Sequence, residues 1–150
     1  MKKTVMFLAS VVSAISLTAH AAIPANAKLS LNKNNVQVWT YQNPNSPVLA
    51  YKAETTMDAS MERAIALVLD INNTPQWVPN LAKAELLSRD DKKGEFTIYM
   101  VLDFPFPLKA RDMVVRGKMQ KEADGIITIK NTAIQQGKAL NSDYIRLKDY

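Results

Sequence analysis

The chain has 150 residues, a formal net charge of +5, no cysteine and a single histidine, His20. Without thiols there is no disulfide, metal-thiolate site or cysteine nucleophile, so stability must come from packing. His20 lies in a leader-like start, so the remaining chain also lacks the imidazole needed for Ser-His-Asp triads and most zinc sites.

The chain begins with Lys2 and Lys3, then an apolar run over 5–17, then the small-x-small pattern Ala19-His20-Ala21. The run is too short for a membrane helix, and the three parts together read as a secretory signal peptide over 1–21. Ala25-Asn26-Ala27 is a second cleavage site to weigh. The expected location is the periplasm or the exterior, after cleavage near Ala21. Loss of Lys2 and Lys3 leaves only a mild basic excess, compatible with a transient contact with a membrane surface. No basic run with interleaved aromatics is present, and no nucleic-acid partner is expected.

Residues 22–35 are polar and Asn-rich and read as a tether, with at most a short helix around Leu29 to Leu31. Two strands, 36–41 and 48–57, flank the turn formers Asn43-Pro44-Asn45-Ser46-Pro47, so a hairpin is expected. Its second strand places Leu49, Tyr51, Ala53, Thr55 and Met57 on one side. Asp58 or Ser60 can cap a helix in which Met61, Ala64, Ile65, Val68 and Leu69 recur at helical spacing. Asn72-Asn73-Thr74-Pro75 should end it. Trp77 follows in a proline-bounded connection, where a tryptophan is either a structural plug or a ligand contact.

A short strand over 83–88 and a charged turn, Asp90 to Gly94, lead into the central pair of strands. In the first, Phe96, Ile98, Met100, Leu102 and Phe104 alternate with Glu95, Thr97, Tyr99, Val101 and Asp103, the period of a strand with one buried face. In the second, Met113, Val115, Gly117 and Met119 alternate with Val114, Arg116, Lys118 and Gln120. Between them Phe104-Pro105-Phe106-Pro107 forms a rigid corner, because proline fixes its own φ, lacks a donor and pushes its predecessor toward extended geometry. Ala123-Asp124-Gly125 turns the chain into a strand over 126–131, and another strand begins near Asp143.

Arg111-Asp112 is the sharpest polar feature. It reads either as an ion pair holding the strand entry or as polar groups meeting a ligand head group. A buried charge survives only when paired, which favours the ion pair. Met100, Met113 and Met119 suit either ordinary core filling or an adaptable pocket.

Pro105-Phe106-Pro107, a short polar step and Arg111-Asp112 opening a strand resemble the signature of START lipid-transfer domains. The segments Val36-Gln37-Val38-Trp39-Thr40-Tyr41, Ala50-Tyr51-Lys52-Ala53, Leu67-Val68-Leu69-Asp70, Gln76-Trp77-Val78-Pro79 and Tyr144-Ile145-Arg146 resemble the family's landmarks in the same order. The resemblance runs over 36–150 and is strongest with bacterial members. It implies an α+β helix-grip fold, a curved antiparallel sheet with helices on one face around an apolar cavity. The family's C-terminal grip helix has no counterpart before residue 150, so a fragment or a truncated product is expected.

The resemblance further implies a carrier that binds, and can transfer, a lipid or other hydrophobic small molecule without a cofactor, a metal or catalysis. Trp77, Ile98, Met100, Leu102, Phe104, Arg111, Met113 and Val115 are then the expected ligand-binding residues. The alternative is a polyketide cyclase-like enzyme on the same scaffold, with Tyr51, Tyr99, Asp103 or Arg111 polarising a carbonyl. No titratable pair stands out on an inward face to support it.

Overall fold

The computed structural model describes residues 22–148. The signal-peptide expectation for 1–21 lies outside them, as do the last two residues. The described chain divides into two units, one ending at Asp58 and one beginning at Ala59.

The first unit is a three-stranded antiparallel sheet in the order β1 (Lys28–Lys33), β2 (Val36–Gln42), β3 (Leu49–Thr55). The first strand corrects the reading of 22–35 as a tether with a short helix. Asn34 and Asn35 have φ of 54° and 61°, the left-handed geometry of a tight hairpin turn, which asparagine tolerates better than most residues. A bulge between Leu29 and Leu31 adjusts the register. In β3 the side carrying Leu49 and Tyr51 is the exposed one, at 60% and 74%, while Ala50, Lys52 and Glu54 are half-buried. The side carrying the larger apolar residues is therefore the open side. Lys52 lies 5.8 Å from the centre of the Trp39 ring and pairs with Glu54, which lets charged groups occupy the sheltered face.

The second unit opens with helix α1 (Met61–Leu69), capped by Ser60, whose Oγ accepts from the Arg63 amide at 3.4 Å. A 3-10 helix, Ile71–Gln76, continues beyond it and contains Pro75, so the Asn-rich segment tightens the chain rather than releasing it into a loop. A five-stranded sheet follows: β4 (Leu81–Asp90), β5 (Glu95–Leu102), β6 (Arg111–Lys121) and β7 (Ile127–Ile134) form an antiparallel meander. The short β8 (Ile145–Arg146) adds to β6 in parallel, with Asp112 opposite Arg146.

β5 and β6 are buried on both faces, which corrects the one-sided reading. On the inner face Phe96, Ile98, Met113 and Val115 pack with Ile71, and Leu69, Met100 and Leu102 join them. On the outer face Tyr99, Val101 and Val114 pack with Leu87, Ile134 and Tyr144. The outer cover is the segment 135–146, a strap that leaves β7 and returns as β8, while Leu147 packs on the inner cluster. Gly137 touches the sheet here: a Cβ on it would lie 3.4 Å from Val114 Cγ1, and its φ of 104° favours glycine. On the inner face Gly117 has a different task, because the Phe96 ring from the neighbouring strand occupies the place where its side chain would be.

Candidate functional site

The inner face of the second unit changes character along β5. At the Phe96 and Ile98 end it is closed under Leu69 and Ile71. The gap left between Leu69, Ile71, Phe96 and Met119 is only about 30 Å³. Ligand pockets measure roughly 300–1,000 Å³, so this gap is packing slack. Toward the corner the same face opens: Met100 and Leu102 are each half-buried, as is Phe104 just past the end of the strand. Beyond them Asn80, Leu81, Ala82, Asp103, Phe104 and Pro105 surround an open recess of about 370 Å³.

Five of the eight expected ligand-binding residues thus share one face. Ile98, Met113 and Val115 form its buried floor and Met100 and Leu102 its half-buried rim, while Phe104 lies past the end of β5 beside the recess. Trp77 stands apart, 48% exposed at the end of the 3-10 helix and in neither buried cluster. Arg111 sits over the Phe104 ring at 5.0 Å and donates to the Lys109 carbonyl at 3.5 Å. It is not the partner of Asp112.

That partner is Arg146, and the proposed Arg111-Asp112 ion pair is corrected accordingly. Asp112 is 1% exposed; Arg146 Nε donates to its Oδ1 and Nη2 to its Oδ2, each at 2.9 Å. The Tyr99 hydroxyl donates to Oδ2 at 3.1 Å. The rest of the Arg146 fork reaches the carbonyls of Lys138 and Ala139 at 3.3 and 3.1 Å. A planar guanidinium can make all four bonds at once, which a lysine cannot. The fork holds the Asp112 carboxyl below its usual range, and Asp112 in turn raises Arg146. Burial, reinforced by the bond to Asp112, pushes the Tyr99 phenol up to about 12. Groups held so far from neutral titration suit structure rather than proton transfer at neutral pH. Above them, Lys138 lies 5.0 Å from the Tyr99 ring centre and 3.0 Å from Glu85.

Sequence reasoning missed Arg146 as a functional neighbour, because its partner lies 34 residues away. The one signal was the stretch Tyr144-Ile145-Arg146, where a charged residue follows an aromatic that the structure half-buries.

The chain matches the START domain family over residues 26–149. It belongs to the START family. That family binds lipids and other hydrophobic ligands, and the match takes in β1 as well as the five-stranded sheet. A STAR-related lipid transfer protein of Xanthomonas axonopodis has a similar structure, with a TM-score of 0.75 at 26% identity, covering 81% of this chain and 67% of that one. The fold is thus of the START helix-grip class.

An uncharacterized protein of Pseudomonas aeruginosa is 26% identical over 115 residues, which is 77% of this chain and 56% of that protein. The mitochondrial StAR-related lipid transfer protein 7 of Mus musculus is 21% identical over 126 residues, 82% of this chain and 34% of that protein. The chain therefore spans about half or less of the length of these relatives.

Proposed function

We propose that this START protein is a non-catalytic carrier that shields one lipid-like hydrophobic molecule from water, outside the cytoplasm, and can pass it on. The observation that carries the reading is the half-buried apolar rim of Met100 and Leu102, continuous with a buried apolar floor and leading to the recess beside Phe104, in a chain of a lipid-binding family. Binding by such a surface is driven by burial, at roughly 25 cal/mol per Å² of apolar area, and needs no reactive group.

The corner supports a transient membrane contact. Phe106 is 96% exposed and Leu108 52%, with Lys109 beside them, an apolar tip next to a cation that suits an anionic interface. The basic start, apolar run and small-x-small site support export. Among the described residues no helix is long and apolar enough to cross a membrane.

One preparation tests the reading. The full chain is recovered from outside the producing cells' cytoplasm, its N-terminus is sequenced, and native mass spectrometry identifies co-purified lipid. Leu102→Trp, which fills the rim, should then lower uptake of a fluorescent lipid analogue with the circular dichroism unchanged. Unaltered uptake at saturation would remove the inner face as the site, and an intact Lys2-Lys3 terminus in the membrane fraction would overturn export.

A further inference from the structure

The corner over 103–110 is tied to the fold at its two ends and by little between. At its entry the Asp103 amide donates to the Asn80 carbonyl at 2.8 Å. At its exit the Ile145 amide donates to the Ala110 carbonyl at 3.0 Å, and the Leu147 amide to the Asp112 carbonyl at 2.8 Å. Within it the bonds are local: Leu108 N to Pro105 O at 3.2 Å, Phe104 N to Asp103 Oδ1 at 3.0 Å, and the Arg111 contact with the Lys109 carbonyl. Pro105 and Pro107 supply no donors.

The two ends are unequal. The entry is bonded beside β4, a ten-residue strand paired along β5. The exit rests on β8, only two residues long, which pairs with β6 through two registered residues. A strand so short has little pairing of its own, and its anchor is Arg146, whose side chain joins Asp112 on β6 to the Lys138 and Ala139 carbonyls of the strap.

We propose that Arg146 is a positioning residue for the proline corner: by gripping Asp112 it seats β8 against the corner's exit and fixes where Phe106 and Leu108 project. The side-chain hydrogen bonds of Arg146 go to Asp112 and the strap rather than to the corner loop. It acts through Asp112 and through the backbone bond from Ile145 to Ala110. The consequence for lipid exchange rests on the reading of the corner as the membrane-facing tip. The positional claim does not, because it is measured without lipid.

The test is NMR on the whole protein, with amide exchange of Leu108 and backbone order parameters over 104–111 compared with the amides of Ile98 and Val115 in the sheet. In Arg146→Gln the corner should become mobile, with Leu108 exchange rising about tenfold or more while Ile98 and Val115 stay protected. Arg146→Lys, which keeps the charge and loses the fork, should fall between. Lys138→Met removes the strap's contact with Glu85 and leaves Asp112 alone, and should not move the corner. Should Arg146→Gln fail to fold, the double variant Asp112→Asn/Arg146→Gln removes the unpaired buried charge and keeps the question open to measurement. An unchanged corner in the variants that fold would overturn the proposal. So would a uniform rise in all slow amides, which would make Arg146 a support of the whole unit.

Discussion

On one face of the β4–β7 sheet, Leu69 and Ile71 lie over Phe96, Ile98, Met113 and Val115 with apolar contact alone; on the other, the strap covers Tyr99, Val101 and Val114 through a polar clamp. The clamp uses directional bonds among Asp112, Arg146 and Tyr99, so that cover has one register. Apolar packing carries no such direction, and the inner cover stops short of Met100, Leu102 and Phe104. A face meant to remain closed gains from buried, fully bonded polar groups. A face meant to receive a molecule of variable shape is better left apolar, with methionine among its residues.

The comparison is broken most severely by Asp112→Asn. The change leaves the Arg146 guanidinium buried without its counter-charge, which should destabilise by about 3–5 kcal/mol, read by chemical denaturation. The pH dependence has a defined sign. Because the folded Asp112 pKa lies below its unfolded value of about 3.9, its contribution is complete above that pH and is lost as pH falls through it toward the folded pKa. The wild type should therefore lose stability more steeply in acid than Asp112→Asn. Equal stability at neutral pH would mean that the strap is not held by this pair.

The inner face is probed by Gly117→Ala. An added Cβ would fall within the Phe96 ring, which is only 8% exposed and packs in the same cluster as Ile98 and Val115. Rotating that ring out of place should cost about 1–3 kcal/mol and widen the gap beside Leu69. Thermal melts measure the loss. A neutral result would show that the apolar cover adapts freely, which would sharpen the contrast with the clamp.

How much of this was legible in the sequence follows from the range of each interaction. The alternation of Phe96, Ile98, Met100 and Leu102 placed the inner face correctly, since a strand's period is local. The outer face is obscured because Tyr99 and Val101 fall at the solvent-facing positions of that alternation. Yet Tyr99-Met100-Val101-Leu102 is a continuous apolar run, the mark of a strand covered on both sides. β1 was lost in an Asn-rich stretch whose Asn34-Asn35 pair is itself the hairpin turn. Arg111 stood next to Asp112 in sequence, but adjacent strand residues point to opposite faces, so the neighbour least able to pair with Asp112 was the one that looked paired. Arg146 sits directly opposite in the ladder, a relation set by the strap's return and invisible to spacing.

The smallest expected effect comes from Tyr99→Phe, which keeps the ring and removes the hydroxyl. The ring's burial, its place over Val114 in the ladder and its contact with Lys138 survive, and Asp112 keeps both bonds from Arg146. Only the 3.1 Å bond to Oδ2 is lost, at about 1.5 kcal/mol for a bond to a carboxylate that Arg146 still pairs. The alkaline limb identifies the residue. With its pKa raised to about 12, Tyr99 contributes stability that is complete below the unfolded phenol value of about 10 and lost as pH rises from there to about 12. Ultraviolet titration of the wild type should show a tyrosine ionising near 12, and Tyr99→Phe should remove that step together with the extra alkaline loss. A late step that persists in the variant would assign it to another tyrosine and detach Tyr99 from the clamp.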